Sequence, residues 1–225
     1  MYEIVTDFER PDSELVVRAS KTFFVITGGI SGPRQVMHAA IKPLVSDWRI
    51  CGPAFTVRPE YVGDVTMGFL ANFYVQPGDV VIVDAGGQTD SACWGATMAR
   101  GAKQADAAGI VLDGACESRE SIVNREKIPV FCRGTVAHVV SQERPGWLNC
   151  PVICGGVIVN PGDIVIGDAD GVIVLPKARA ADIVAESEER GSKYRGPNSV
   201  VSASYRETNS GIVDRIRAMP NVSWK

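Results

Sequence analysis

The chain has 225 residues, 45% of them hydrophobic and 22% charged, with a formal net charge of −3. That length suits one large domain or two small ones, and the balance is that of an ordinary water-soluble globule. It argues against a basic nucleic-acid footprint and against a membrane span, because no apolar run approaches the roughly 20 residues a span needs.

Met1-Tyr2-Glu3-Ile4-Val5-Thr6-Asp7 lacks the basic segment followed by an apolar one that marks a secretory leader. A cytoplasmic location is therefore expected, with neither nucleic acid nor membrane as partner. Six cysteines, at 51, 93, 116, 132, 150 and 154, form no Cys-x-x-Cys pair. In that location they read as reduced, part-buried thiols rather than zinc ligands. With His38 and His138 as its two histidines, the chain cannot build a multi-histidine metal site alone.

Residues 12–21 read as a short amphipathic helix, with Leu15, Val16 and Ala19 on one face. Lys21 to Thr27 is β-rich, and Thr27 to Gly32 reads as a glycine-rich loop that lacks the lysine of a phosphate-binding motif. Pro33 then suits the first turn of a helix over 33–41, with Val36, Met37, Ala40 and Ile41 inward and His38 as a core histidine. A strand is expected from Cys51 to Arg58 and a helix over 64–74.

The stretch from Pro77 to Gly134 is the most informative. It reads as strand (Val80–Val83), glycine-rich loop, small-residue helix from about Ala96, strand (Gly109–Leu112), a second loop, helix, and strand (Val130–Phe131). This order places two loops at the carboxyl ends of neighbouring parallel strands, where open α/β sheets bind small ligands. Pro77-Gly78-Asp79 recurs as Pro161-Gly162-Asp163, each before an apolar run, as two similar turn-strand units. The second unit continues as a hairpin turning at Asp168 to Gly171, then a polar helix over 178–190. The chain reads as a single domain over 1–225, with a core from about 20 to 190 and a C-terminal arm from about 191 whose last helical candidate is 210–218.

Chemistry is expected in the two loops. The unsatisfied amides of Gly95, Ala96, Thr97 and Met98 at a helix start would suit a carboxylate or phosphate. In Asp113-Gly114-Ala115-Cys116-Glu117-Ser118-Arg119-Glu120, two carboxylates could hold a divalent cation while Arg119 holds a substrate carboxylate. Ser118 is placed as an N-cap. A plain helix start packed under Trp94, and a solvated charged first turn, are the alternatives for the two loops.

Gly52-Pro53-Ala54-Phe55-Thr56-Val57, Pro77-Gly78-Asp79, Asp84-Ala85-Gly86-Gly87, Trp94-Gly95, Asp113-Gly114, Pro129-Val130-Phe131, Val152 to Val157 and Pro161-Gly162-Asp163 through Pro176, in this order, resemble the RraA-like family. That family includes 4-hydroxy-4-methyl-2-oxoglutarate aldolases and the regulator of ribonuclease activity. The resemblance implies an α/β fold, a swivelling β/β/α domain, assembled as a homotrimer or a hexamer with sites between subunits. It also implies a divalent metal, Mg, and a small anionic oxo acid cleaved through a pyruvate-like enolate. The family pattern has an acid after Trp-Gly, where this chain has Ala96 followed by Thr97 and Met98. It has Arg-Asp after Asp-Gly-x-x, where this chain has Glu117-Ser118; a two-residue shift aligns Arg119-Glu120 instead. Tyr194 falls near the column of a late glutamate. Two functions follow as expectations: a metal-dependent lyase in which Arg119 and Glu117 are catalytic and Glu117, Ser118 and Glu120 are metal ligands, or a noncatalytic metabolite- or protein-binding relative.

Overall fold

The computed structural model describes residues 1–140, 143–194 and 211–220. Its central sheet runs, edge to edge, Lys42–Pro43, Val130–Cys132, Gly109–Leu112, Val80–Val83, Ile50–Pro59, Ile164–Asp168 and Gly171–Leu175. Gly146–Leu148 pairs with the far end of Ile50–Pro59. The four strands from Val130–Cys132 to Ile50–Pro59 are mutually parallel, and the flanking pairs are antiparallel. Val80–Val83 and Gly109–Leu112 are buried throughout, which is why they read as unbroken apolar runs instead of alternating ones.

The two faces of the parallel region are covered differently. Phe55, Val81, Val83, Ile110 and Leu112 pack under the helices Thr66–Ala71 and Ala96–Gln104. Ala54, Val80, Ile82, Val111 and Phe131 face a β layer instead, the hairpin Val152–Cys154/Val157–Val159 with Met37 and Ile41. Gly155 and Gly156 form its two-residue turn with φ of 58° and 79°, a conformation glycine adopts without strain. Helices Ser13–Ser20, Phe24–Ser31 and Ala180–Ser192 close the antiparallel end over Ile164, Ile166, Ile173 and Leu175. Each such buried aliphatic side chain contributes about 1.5–3 kcal/mol relative to exposure.

Beyond the central strands the chain pairs again. Ala92–Trp94, Ala115–Cys116 and Gly134–Thr135 form a small parallel sheet, each strand following its central counterpart after a turn. Both loops singled out from sequence are therefore at the carboxyl side of the parallel strands, as expected.

The repeated Pro-Gly-Asp turns are structurally alike. Gly78 and Gly162 have φ of 85° and 83°. Asp79 accepts from the Gln76 amide at 2.9 Å and Asp163 from the Asn160 amide at 2.8 Å. They differ in what they hold: Asp79 carries the Arg10 guanidinium on both oxygens, at 2.9 and 2.8 Å, and Asp163 accepts from the Lys177 amide at 2.9 Å.

The amino-terminal third departs from expectation. Lys21 to Thr27 does not form a strand, and Thr27 to Gly32 is not a loop; Phe24–Ser31 is a helix. Tertiary packing overrides the β-branched composition: buried Thr27 bonds Ser187 on Ala180–Ser192 at 2.7 Å, and its hydroxyl also donates to Phe23 O. The expected helix over 33–41 is a short 3₁₀ turn, Pro33–Gln35, followed by extended chain in which Val36 bridges Ile173 and the Met37 amide donates to Val172 O. Met37 and Ile41 are buried as expected, but against the sheet rather than along a helix, and Val36 and Ala40, also expected inward, are exposed. His38 is exposed and outside any helix, not a core histidine. Much of the expected C-terminal arm lies outside the described residues; Ile212–Arg217 is helical.

Candidate functional site

Gly95 opens the helix Ala96–Gln104 in an extended conformation, φ −146° and ψ −175°. A methyl group at Gly95 would run into the Glu117 carboxylate and lie 2.7 Å from its Cδ, so the Glu117 side chain is seated directly on the helix start. The Glu117 amide donates to Trp94 O at 2.9 Å, pinning the loop to the strand that feeds the helix. A carboxylate at a helix N-terminus is favoured by about 0.3–1 kcal/mol. Glu117 and Gly95, predicted from separate loops, thus meet, whereas Thr97 does not share the cavity that Glu117 walls. Ala96 is half-buried, Thr97 exposed and Met98 buried.

The remaining residues of the charged loop diverge. Ser118 has φ 54° and ψ 38°, left-handed backbone that is uncommon for serine. Its side chain does not cap the following turn, contrary to expectation; its hydroxyl donates to the Glu117 carboxylate. The bend sends Arg119 to Leu44, where Nη2 donates to the carbonyl oxygen at 2.8 Å, and leaves Glu120 exposed. The helix that follows is short, Arg119–Ser121, and continues as a π-turn over Ile122–Glu126. Such turns insert one extra residue into a helix and are frequent at functional sites. Glu117, Ser118 and Arg119 wall a cavity of about 250 Å³ with Thr135, Val136 and Ala137. Thr97 lines a different cleft of about 420 Å³, walled by Phe69, Asn72 and Phe73. Among the described residues, no group of three or more His, Cys, Asp or Glu side chains is placed to hold a metal ion.

A second polar cluster lies at the same sheet edge. Asp113, 4% exposed, ends its strand and accepts from Arg133 Nε at 2.5 Å and from the Gly155 amide at 2.9 Å. The Arg133 guanidinium lies over Gly87, where an added Cβ would stand 3.4 Å from its Cζ, and Nη1 is 3.4 Å from His38 Nδ1. Sequence reasoning named Asp113 but passed over Arg133. The available signal was positional: Arg133 follows strand Val130–Cys132, the parallel neighbour of the strand that Asp113 ends. Asp84 is likewise a turn former, accepting from the Gly86 amide at 3.1 Å and the Ile153 amide at 3.2 Å. Tyr194 packs against Phe23, with ring centroids 5.9 Å apart.

These features sit within a recognisable family. A model described as RraA-like, Aldolase/RraA, matches residues 26–174. A Halalkalibacterium halodurans protein named "Putative 4-hydroxy-4-methyl-2-oxoglutarate aldolase" is 36% identical over 154 residues, covering 68% of this chain and 72% of its own. The Thermus thermophilus protein named 4-hydroxy-4-methyl-2-oxoglutarate aldolase is 31% identical over 100 residues, 44% of this chain and 60% of its own. The crystal structure of Streptomyces coelicolor RraAS2, described as an unusual member of the RNase ES inhibitor RraA family, superposes with a TM-score of 0.74 at 30% identity. It covers 83% of this chain and 96% of that one. With its mixed α/β fold and a family match over most of its length, the chain belongs to the RraA-like family.

Proposed function

We propose that this protein is a divergent, divalent-metal-dependent lyase that cleaves a small oxo acid next to its carbonyl, by retro-aldol cleavage or decarboxylation, and that it works as a homotrimer or hexamer. The observation that carries the reading is the Glu117 carboxylate seated on Gly95 at the start of Ala96–Gln104. The amides of Ala96, Thr97 and Met98 are the groups that would hold the acid's carboxylate. Glu117 would take a proton from the substrate's hydroxyl oxygen and return it to carbon after the bond breaks. Arg119, in the wall of the adjoining cavity, would supply countercharge to the developing enolate once released from Leu44 O.

Two like charges, Glu117 and the substrate carboxylate, would meet at this helix start. A divalent cation fits that problem. Glu117 and the adjoining Ser118 hydroxyl offer hard oxygen donors, and magnesium commonly binds through one or two carboxylates with the rest of its shell water. Glu120 is the third candidate donor. When bound, the ion would polarise the substrate carbonyl as a Lewis acid.

The test is pyruvate release from several 4-hydroxy-2-oxo acids, with magnesium and after chelation. Turnover that needs the metal and falls in Glu117→Gln supports the lyase. The bond from Arg119 to Leu44 O favours the second reading, a metabolite- or protein-binding relative without this chemistry. Oxalate binding by a protein that releases no pyruvate from any of these acids would select it.

A further inference from the structure

Beneath the two loops the core holds three buried cysteines, Cys93, Cys116 and Cys132. Two of them are in contact. Cys116 Sγ and Cys132 Sγ lie 3.8 Å apart although 16 residues separate them in the chain. Cys116 ends the short strand that leads into Glu117, and Cys132 ends the central strand that leads into Arg133.

From this juxtaposition we infer that Cys116 and Cys132 form a thiol-oxidation site, which closes to a disulfide with a peroxide as oxidant. The sulfurs need to approach by a little under 2 Å to reach the roughly 2.05 Å of a disulfide, a shift two side chains can share. Cys132 is the attacking sulfur. Its hydrogen bond with the Cys116 thiol, the Gly134 amide and the positive charge of Arg119 favour its thiolate against the burial that opposes it.

The other four sulfurs are biased the opposite way. Burial pushes Cys51 and Cys93 up to about 12 and raises Cys154, and Cys150 is raised by burial and Glu3. Thiolate character governs reactivity toward peroxide, so Cys132 is favoured once local opening admits the oxidant. Two neighbours of Cys116 wall the cavity of about 250 Å³: Glu117, which follows it in the chain, and Val136, whose amide donates to its carbonyl oxygen.

The chemistry balances in two steps. Cys132 thiolate attacks one peroxide oxygen and the O–O bond breaks, giving a sulfenic acid and hydroxide. The hydroxide takes up the proton that Cys132 lost, forming water. Cys116 sulfur then attacks Cys132 sulfur; the S–S bond forms, and the sulfenic hydroxyl leaves with the Cys116 proton as a second water. Two thiols have lost two electrons and two protons, and one hydrogen peroxide has become two waters. The bridge ties the strand before Glu117 to the strand before Arg133, and a dithiol reverses it.

The experiment is peptide mapping of the full chain after hydrogen peroxide, alkylation and trypsin without reductant. Trypsin places Cys116 in peptide 104–119 and Cys132 in peptide 128–133, each with one cysteine. The expected result is these two peptides joined, and separated by dithiothreitol. In Cys116→Ser, Cys132 should instead be trapped as a sulfenic acid by dimedone, with an unchanged circular dichroism spectrum showing that the variant folds. The inference is overturned if both thiols remain free at a peroxide dose that oxidises half-exposed Cys150, or if either one bridges to Cys93 instead. The mapping reads sulfur alone, so it succeeds or fails independently of lyase activity.

Discussion

Two clusters of charge stand at the same edge of the sheet and differ in how they are held. Asp113 and Arg133 come from adjacent parallel strands and meet as a part-buried ion pair, with the Gly155 amide on the second carboxylate oxygen. Glu117, Ser118, Arg119 and Glu120 are consecutive in sequence, yet they point to a helix start, a carbonyl and solvent. Adjacency in sequence gave no ion pair between Arg119 and its neighbouring carboxylates, whereas adjacency in strand order paired Arg133 with Asp113. The first arrangement holds its carboxylate on both oxygens, from Arg133 Nε and the Gly155 amide. The second leaves a carboxylate at a partly positive helix end and an arginine on a single carbonyl, a site whose charges can still be redirected.

The largest effect should come from breaking the pair of Asp113 and Arg133. Asp113→Ala strands a part-buried guanidinium and the Gly155 amide. It should lower the unfolding free energy by about 2–4 kcal/mol, somewhat less than a fully buried pair because Arg133 retains 19% side-chain exposure. Urea denaturation measures this. A loss no greater than that of Arg119→Ala would erase the distinction between the two clusters.

Arg119→Ala should act on rate rather than on fold. If Arg119 supplies countercharge to the enolate, turnover should fall at least about tenfold, roughly 1.4 kcal/mol of barrier. The single exposed bond to Leu44 O should make its effect on stability under about 1 kcal/mol. Unchanged turnover in an active enzyme would remove Arg119 from the site.

The contrast also explains what the sequence made legible. Val80–Val83, Gly109–Leu112 and Val130–Cys132 were readable because strands buried on both faces must be continuously apolar, and Asp79 and Asp163 because Pro-Gly-Asp turns are local. The Glu117–Gly95 contact was legible as a shared edge: both loops follow parallel strands. The direction of Arg119 was not, because it depends on the left-handed backbone at Ser118, which no local pattern announces. Helix Phe24–Ser31 was hidden for a different reason. Its stability comes from contacts with Ala180–Ser192, more than 150 residues away, and its β-branched composition points toward a strand.

Gly95→Ala separates the site from the fold at a finer scale. The added methyl would displace the end of a flexible side chain, and the backbone at Gly95 is one that alanine adopts freely. Stability should therefore change by less than about 1 kcal/mol, while magnesium affinity and turnover both fall. Adding Glu117→Ala to Gly95→Ala should cost nothing further in magnesium affinity, since the same carboxylate is already displaced. Additive losses in the double variant would show that Gly95 and Glu117 act separately.

The smallest effect is expected at Glu120, and it discriminates between the two registers that align this loop with the family. Glu120 is exposed one residue beyond Arg119, whereas Glu117 is at the helix start beside the Ser118 hydroxyl. If the ion is held where the helix start gathers the substrate, Glu117→Gln should raise the magnesium concentration needed for half-maximal turnover at least about tenfold, and Glu120→Gln should shift it by less than about twofold, a difference near 1 kcal/mol in binding. Both substitutions keep side-chain size and remove one charge, so a general loss of negative potential would move the two curves equally. Titration of activity against magnesium separates these cases. A large shift in Glu120→Gln with none in Glu117→Gln would place the metal on the outer register and leave the carboxylate on Gly95 as a helix-end contact.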